Sequence, residues 1–386
     1  MKFKIKTKEL FFYIAFFVWL LYQLLEANIY FRQVFLDYSV YKVVYVITYV
    51  SLIISILKNT IVSTSVKKLM INFSVLFGGL IAVYMSEDVT FLLTLILFIF
   101  AARGIDFTKI ISFDIKMQIV VMIFNVSLAL MGIIENGVRY RGSIARYYLG
   151  YKSTLAPMFL FHITMMFIFI KKEKFKLKHA IVILIVNQFF FMKSNVRAPY
   201  IYTIVLVLLT LIGKKIKLPQ RKVAINLVTL IVPILYVITI MVQALYSLSN
   251  PFLVGLDTLL SSRIRLGNDA IVRYGFSLWG NNITWNYVGV KGAVYSYVDS
   301  AYLKYTLMYG GIVMGLIVIG HALLIRNAWK HNDIYLLIIL LGISVNAIAD
   351  PQMLYLQYNP FILLLGMFLH PSKKQFMLPN YKSGLN

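Results

Sequence analysis

The stretch Leu10–Leu25 reads Leu-Phe-Phe-Tyr-Ile-Ala-Phe-Phe-Val-Trp-Leu-Leu-Tyr-Gln-Leu-Leu and contains no charged side chain. It follows the lysine-rich segment Met1–Glu9, and no small-residue cleavage site comes after it. An apolar run of this kind between polar flanks is typical of a helix that crosses a lipid bilayer. The sequence therefore predicts a retained first membrane span and not a cleaved signal peptide.

Similar uncharged runs recur along the rest of the chain, which is 60% hydrophobic and only 13% charged. A single soluble core formed by 386 residues could not bury that much apolar surface. The runs lie at 10–25, 43–57, 69–86, 89–102, 117–134, 153–170, 180–192, 198–213, 223–256, 305–325, 334–349 and 354–372. They predict an all-α, polytopic integral membrane protein with about twelve transmembrane helices, in one domain over residues 1–386. The runs 89–102 and 180–192 are short, so we expect them to borrow flanking residues, tilt little or be re-entrant.

The formal net charge of +24 comes from short basic clusters between these runs. Such clusters are a membrane-topology pattern, so nucleic acid is not an expected partner. If both termini lie in the cytoplasm, most lysines fall on the cytoplasmic side, as the positive-inside rule requires. Eight of the eleven arginines fall on the other side, where that rule gives no reason for them. These eight are Arg32, Arg139, Arg141, Arg146, Arg197, Arg263, Arg265 and Arg273.

The outer arginines indicate a phosphate-bearing ligand. Guanidinium groups are planar, always charged and able to bind two oxygens of one phosphate, whereas lysine acts as a point charge. The alternative is that each arginine reaches toward lipid headgroups or pairs with an acid such as Glu135, Asp257 or Asp269. The sequence has no cysteine, and its histidines form no metal-binding pattern on the outer side, so neither a metal nor a cofactor is expected.

Two outer segments carry several of these arginines. The segment Gly137–Ala156 combines three arginines with tyrosines and glycines, a composition that suits a sugar phosphate and also suits an interfacial aromatic belt. The segment Lys193–Tyr200 places Arg197 in the first turn of a helix, since Pro199 is tolerated there. Free backbone N–H groups at a helix start would add to Arg197 as an anion site.

A long extracytoplasmic loop is predicted over residues 247–298. The apolar run before it is expected to leave the bilayer near Gln243. Residues 252–266 predict a helix lying in the membrane interface, which Gly267 and Asn268 would end.

Acidic side chains that are candidates for a functional site lie in the later part of this loop and in the segments beyond it. Asp269 and Arg273 have the spacing of an ion pair within a helix. Residues 275–291 fit a sugar-binding loop and fit an ordinary interfacial loop equally well. Asp299 is either the N-cap of the next span or a group that orients or deprotonates an acceptor hydroxyl, and Asp350 is a second candidate for that role.

The apolar runs contain almost no ionisable side chain. Within the cores of these runs, His162 and the peripheral His321 are almost the only such groups. A proton or ion pathway across the membrane would need such groups, so their scarcity argues against a coupled transporter.

Short motifs in the outer segments match a known family. Arg139 and Gly150 fit an Arg-x10-Gly spacing, and Ser194-Asn-Val-Arg-Ala198 fits a segment that opens a later span. Leu260-Ser-Ser-Arg263 and Val298-Asp-Ser-Ala-Tyr302 fit the two ends of the long loop. In these motifs and in its layout the chain resembles the Wzy-type oligosaccharide repeat-unit polymerases, relatives of the O-antigen ligases. One departure is that no arginine in the long loop is followed by a glycine eleven positions later. The loop also lacks the histidine expected of the ligases, which favours a polymerase over a ligase.

The resemblance implies an enzyme of the bacterial cytoplasmic (inner) membrane whose active site is extracytoplasmic. It would polymerise repeat units of O-antigen, capsule or exopolysaccharide by moving a growing glycan from undecaprenyl diphosphate to a sugar hydroxyl of a second lipid-linked unit. Its partners would be undecaprenyl-diphosphate-linked oligosaccharides, membrane lipids, a chain-length regulator and a flippase. An O-antigen-type ligase and a flippase for lipid-linked oligosaccharide are the alternatives.

The resemblance also implies roles for the candidate site residues. Arg197 and Arg263 would bind the leaving diphosphate, and Asp299 would orient or deprotonate the acceptor hydroxyl. Substrate binding would use Arg139, Arg141, Arg146, Arg265, Arg273, Tyr302 and Asp350.

Overall fold

The computed structural model describes residues 7–34, 37–60, 66–286 and 295–369. Over these residues the chain is mostly helical, as the sequence predicts. The α-helices are α1 (Thr7–Glu26), α2 (Ile29–Val34), α3 (Tyr38–Thr60), α4 (Val66–Ser86), α5 (Thr94–Ala101), α6 (Phe107–Leu130), α7 (Ala156–Lys171), α8 (Leu177–Ser194), α9 (Arg197–Gly213), α10 (Lys222–Ala244), α11 (Pro251–Leu259), α12 (Arg263–Tyr274), α13 (Ala301–Lys330) and α14 (Ile334–Asn346).

Six of the described helices are long and apolar enough to cross a membrane, namely α1, α3, α6, α8, α10 and α13. Shorter apolar helices lie at Met70–Ser86, Val89–Ala101, Arg197–Gly213, Ile334–Asn346 and Pro360–Leu369. These elements indicate a multi-pass membrane protein, and the number of about twelve spans stays a prediction. The run 180–192 does borrow flanking residues, because α8 extends beyond it at both ends.

The last apolar run, expected as a span over 354–372, is not one continuous α-helix where the structure describes it. It forms 3-10 turns at Pro351–Leu354 and Pro360–Leu369, with an irregular stretch between them. The proline that begins each turn cannot donate a backbone hydrogen bond, which favours such breaks. Gln118 of α6 donates its Nε2 to the Gln357 carbonyl at 2.8 Å. Irregular backbone is tolerated at membrane depth when protein groups satisfy it in this way.

Asp114 and Lys304 are buried ionisable side chains that lie in helices just before the uncharged runs begin. Asp114 is fully buried in α6, and its Oδ1 accepts a hydrogen bond from Gln118 Nε2 at 2.8 Å. Lys304 is buried near the start of α13. The helices α6 and α13 begin before the uncharged runs do, so they carry buried ionisable side chains that the runs lack. A coupled transporter is therefore less disfavoured by the structure than by the sequence.

One end of the helix bundle collects the predicted outer segments, and we call it the arginine end. Lys152 forms an ion pair with Glu26 at the end of α1. Arg146 donates its Nε to the Ser194 carbonyl at the end of α8, at 2.9 Å. Segments that the charge pattern assigns to one side of the membrane thus meet in space.

The opposite end collects the lysine clusters, and we call it the lysine end. Lys172, after α7, lies 2.6 Å from the Asp333 carboxylate before α14. The backbone N–H of Leu218, after α9, donates to Asn332 Oδ1 at 3.0 Å. The two sets of loops therefore separate as the charge pattern predicts, while the side of the membrane that each end faces stays a prediction.

A β-hairpin at the arginine end is the exception to the all-α prediction. Strand β1 (Val138–Arg141) pairs antiparallel with β2 (Ile144–Tyr147). Gly142 supplies the positive φ that the tight turn between them requires. The alternating side chains of so short a hairpin give a weaker sequence signal than a helix does.

The predicted interfacial helix over 252–266 is two helices, α11 and α12, so its predicted end at Gly267 is wrong. The break comes earlier, at Ser261 and Ser262, which both have positive φ. Asp257 Oδ1 accepts hydrogen bonds from the first backbone N–H groups of α12 and thereby caps it. Gly267 instead lies within α12, where the absence of a side chain lets the helix approach Gln243 of α10.

Candidate functional site

An ion pair joins the start of α12 to the segment before α13. Arg263 Nε lies 2.8 Å from Asp299 Oδ2, and both side chains are partly exposed. Ser300 caps α13, since its Oγ accepts a hydrogen bond from the backbone N–H of Leu303. The predicted capping role of Asp299 is therefore wrong, and its carboxylate holds Arg263 instead.

A second carboxylate, Asp350, is buried close to this ion pair. Its Oδ1 accepts a hydrogen bond from the backbone N–H of Gln352 at 2.9 Å. Burial raises the pKa of Asp350 to about 7; the Asp299 charge also raises it, while the Gln352 hydrogen bond, Arg263 and Lys304 act to lower it. A carboxyl group that titrates near neutral pH can accept or donate a proton during a reaction.

Lys304 brings a buried ammonium group to the same site. Its Nζ lies 3.0 Å from the Tyr297 hydroxyl. The same nitrogen lies 4.4, 5.6 and 5.7 Å from the ring centres of Tyr297, Tyr305 and Tyr355. Aromatic faces attract a cation and partly replace the water that burial removes.

Asp88 completes a set of three carboxylates around this lysine. Asp88, Asp299 and Asp350 all act electrostatically on Lys304. The Asp88 Oδ2 also accepts a hydrogen bond from the Tyr309 hydroxyl at 2.7 Å. Sequence reasoning missed Asp88 and Lys304, although each is an isolated charge at the edge of an apolar run, which was the available signal.

Helix α9 carries Arg197 at its start and Tyr202 one turn further along. Arg197 is the first residue of α9, after the N-cap residue Val196, as the sequence predicts, and it is exposed. Tyr202, on the next turn, acts electrostatically with Asp350 and Arg263. Tyr202 therefore lies within electrostatic range of Asp350 and Arg263, and Arg197 lies at the start of the same helix.

The three hairpin arginines, Arg139, Arg141 and Arg146, share one face of the hairpin. Arg139 pairs with Arg146 across the strands, and Arg141 lies two residues from Arg139. Arg146 Nη2 also lies 3.4 Å from Thr154 Oγ1, in addition to its bond to Ser194. Burial lowers the pKa of Arg146 from its ordinary value, and the charges of Arg141 and Arg139 lower it further.

An apolar cleft of about 190 Å³ has Arg263 in its lining. It lies between α10, α11 and the segment after α14, with Leu235, Val242, Leu256 and Ile348 among its walls. A cation in the wall of an apolar cleft suits a ligand with an anionic head and a hydrocarbon chain.

The segment after α12 packs inward. Trp285 is buried and directs its Nε1 toward Met308 Sδ at 3.1 Å, and Asn281 Nδ2 donates to the Leu307 carbonyl at 3.0 Å. These two side chains therefore anchor the segment to α13 and are not presented to a sugar. The remaining part of the predicted sugar-binding loop, 287–291, lies outside the described residues.

The other predicted site residues lie apart from the ion pair or serve packing. Arg265 and Arg273 are exposed on α12. Within the described chain no ion pair joins Arg273 to Asp269, contrary to the predicted spacing. Tyr302 is fully buried and donates its hydroxyl to the Ser344 carbonyl at 2.9 Å, which is a packing role.

Among the described residues, no three His, Asp or Glu side chains come together as a metal site. The chain matches no protein-family model, and no curated protein or solved structure is significantly similar to it. A function for this chain therefore has to be proposed from the contacts described above.

Proposed function

We propose that this protein joins lipid-linked oligosaccharide repeat units into a polysaccharide of the O-antigen, capsule or exopolysaccharide type at the outer leaflet of a bacterial cytoplasmic membrane. The observation that carries the proposal is the Arg263–Asp299 ion pair, whose arginine lines an apolar cleft, with Asp350 and Lys304 nearby. This group combines fixed positive charge, a carboxyl that titrates near neutral pH and a place for a hydrocarbon chain.

The reaction would be a single glycosyl transfer. The acceptor hydroxyl oxygen attacks the anomeric carbon of the donor glycan, and the bond from that carbon to the lipid diphosphate oxygen breaks. Asp350, in its carboxylate form, takes the hydroxyl proton, while Asp299 keeps Arg263 in position. The departing diphosphate gains negative charge, which Arg263, Lys304 and Arg197 would stabilise.

The test is to replace the proposed diphosphate ligands in a strain that lacks the native gene. Arg263→Ala and Arg197→Ala should abolish long polymer, and the matching lysine variants should restore part of it, because lysine keeps the charge but not the bidentate geometry. Arg221→Ala, at an exposed arginine of the lysine end, is the matched control and should give wild-type polymer. Wild-type polymer lengths in both alanine variants at positions 263 and 197 would contradict the proposal.

A flippase for lipid-linked oligosaccharide is a second candidate, favoured by one observation. In α6 the buried Gln118 donates to the Gln357 carbonyl of the irregular backbone and to the buried Asp114, which is a polar arrangement seen in transport pathways. In the same strain, a flippase predicts that lipid-linked units accumulate on the inner leaflet, whereas a polymerase predicts single units on the outer leaflet. A ligase would share the chemistry and differ in its product, a single transferred chain.

A further inference from the structure

A second apolar cleft, of about 540 Å³, opens between α6, α7 and α8, and we call it the lateral cleft. Its walls are almost entirely hydrocarbon, from Met122 and Val126 of α6, Leu160 of α7, and Ile183 and Val186 of α8. Its lining residues on α8 extend from His179 to Phe190, which is about 17 Å along the helix axis. That stretch covers most of α8, from its first turn at the lysine end to about one turn before its last residue.

The hairpin lies over one end of the lateral cleft. Ser127 and Phe190, which line the cleft, are within about one helical turn of the ends of α6 and α8. The chain passes from the end of α6 into the hairpin, and Arg146 ties the hairpin to the Ser194 carbonyl at the end of α8. The hairpin therefore bridges the two helices between which the cleft opens.

The hairpin presents positive charge without a compensating acid. Arg139 and Arg146 are directly opposite each other across the strands, an arrangement of like charges that destabilises a hairpin. In the described part of the chain none of the hairpin arginines forms an ion pair, and Glu135, on the approach to β1, is exposed. An anion bound beside the hairpin would relieve this repulsion.

We infer that the lateral cleft and the hairpin arginines form a second lipid-binding site, which takes a single-chain polyprenyl lipid by its chain and its diphosphate head. The cleft would hold the chain along α8, and Arg139 and Arg141 would bind diphosphate oxygens. The identification of the chain as polyprenyl rests on the proposed function, in which two lipid-linked substrates must be held at once. Helix α9 packs against α7, α8 and α14, and this cleft and the Arg263 cleft share no lining residue.

The experiment uses the full chain purified into lipid nanodiscs and a photoreactive polyprenyl diphosphate as the probe. After irradiation, mass spectrometry of peptides locates the labelled residues. We expect labels on α6 and α8, and we expect unlabelled polyprenyl diphosphate to compete with the probe. Neither phosphatidylglycerol nor inorganic diphosphate should compete at the same concentration.

Variants separate the two halves of the site. Val126→Trp and Val186→Trp would fill the lateral cleft, and Val237→Trp, at an exposed position of α10, is the matched control. The double variant R139A/R141A removes exposed charges and should fold normally, with Lys193→Ala as its control. Either cleft variant, or the double arginine variant, should reduce labelling by about tenfold or more, as expected for one lost charge-assisted or buried apolar contact.

Wild-type labelling in the cleft and arginine variants would overturn the inference. Equal competition by phosphatidylglycerol would also overturn it, because the cleft would then hold ordinary boundary lipid. The outcome is independent of the proposed function: labelling that responds to the variants in a protein that forms no polymer would retain the site and reject the polymerase. If the protein forms polymer that the variants do not affect, and no residue is labelled, the polymerase is retained and the second lipid site is rejected.

Discussion

Asp350 lies among charges from distant parts of the chain, since Arg263, Asp299 and Lys304 all act on it. The sequence could single out Asp350 and Asp299 because each is an acid next to a predicted span. It could not show that Arg263 reaches Asp299, or that Asp88 and Asp350 lie near Lys304, because those contacts join residues that are distant in sequence. The sequence singled out Arg263 and Asp299 separately and did not pair them, and the buried Lys304 was found only in the structure.

The proton-acceptor role of Asp350 predicts a specific pH dependence. Its pKa is raised to about 7, so the carboxyl is protonated below that pH and can accept a proton only above it. The rate of polymer formation by the purified protein should therefore rise as pH increases from 6 to 8 and then level off. The Asp350→Asn variant should lose most of the activity, and its remaining rate should not show this rise (the pH limb) between pH 6 and 8.

The matched control for this prediction is Asp269→Asn, an exposed acid on α12 that should keep both the rate and the limb. If the Asp350→Asn variant keeps a limb with the same midpoint, another group accepts the proton.

The hairpin at the arginine end gives a structural reason for the Arg-x10-Gly spacing between Arg139 and Gly150. Arg139 is the second residue of β1, and Gly150 ends the turn that follows the hairpin. Gly150 has φ of +82°, and a Cβ there would lie 2.8 Å from the Asn125 carbonyl oxygen of α6. The Arg-x10-Gly spacing is therefore the length of chain needed to form the hairpin and return to α6. The break between α11 and α12 was not predictable from its residues, because it depends on the Asp257 side chain turning back to cap α12.

Gly150→Ala should destabilise the protein by roughly 1–3 kcal/mol, the cost of a strained backbone together with a close contact. Gly142→Ala is the matched control, because Gly142 also has positive φ but a Cβ there would meet nothing within 4 Å. Thermal unfolding in detergent should therefore give a lower midpoint for the variant at 150 than for the variant at 142. Equal midpoints would show that the contact with α6 does not matter.

Across the whole molecule, the charge pattern anticipated which loops meet at which end. Lysine clusters distant in sequence meet around the Lys172–Asp333 ion pair, and the outer arginines meet around the hairpin and Arg263. The number of spans was harder to predict, because the last apolar run folds into 3-10 turns that begin at prolines. Apolar length alone does not distinguish such a segment from a spanning helix.

The orientation in the membrane can be measured directly, because the chain has no cysteine. A cysteine at Ser143, in the hairpin turn, should react with a membrane-impermeant thiol reagent in intact cells. A cysteine at Lys174, at the lysine end, should react only after the cells are permeabilised. The reverse pattern would place the candidate site in the cytoplasm and contradict the proposed function.

The central claim is that the arginine end joins lipid-linked glycan units. Mass analysis of lipid-linked intermediates in a deletion strain of the native host, with the leaflet of each intermediate determined, tests it most directly. We predict that single repeat units accumulate on the outer leaflet, and that the wild-type gene, but not the Arg263→Ala gene, converts them to polymer. Single units confined to the inner leaflet, or polymer of normal length in the deletion strain, would contradict the claim.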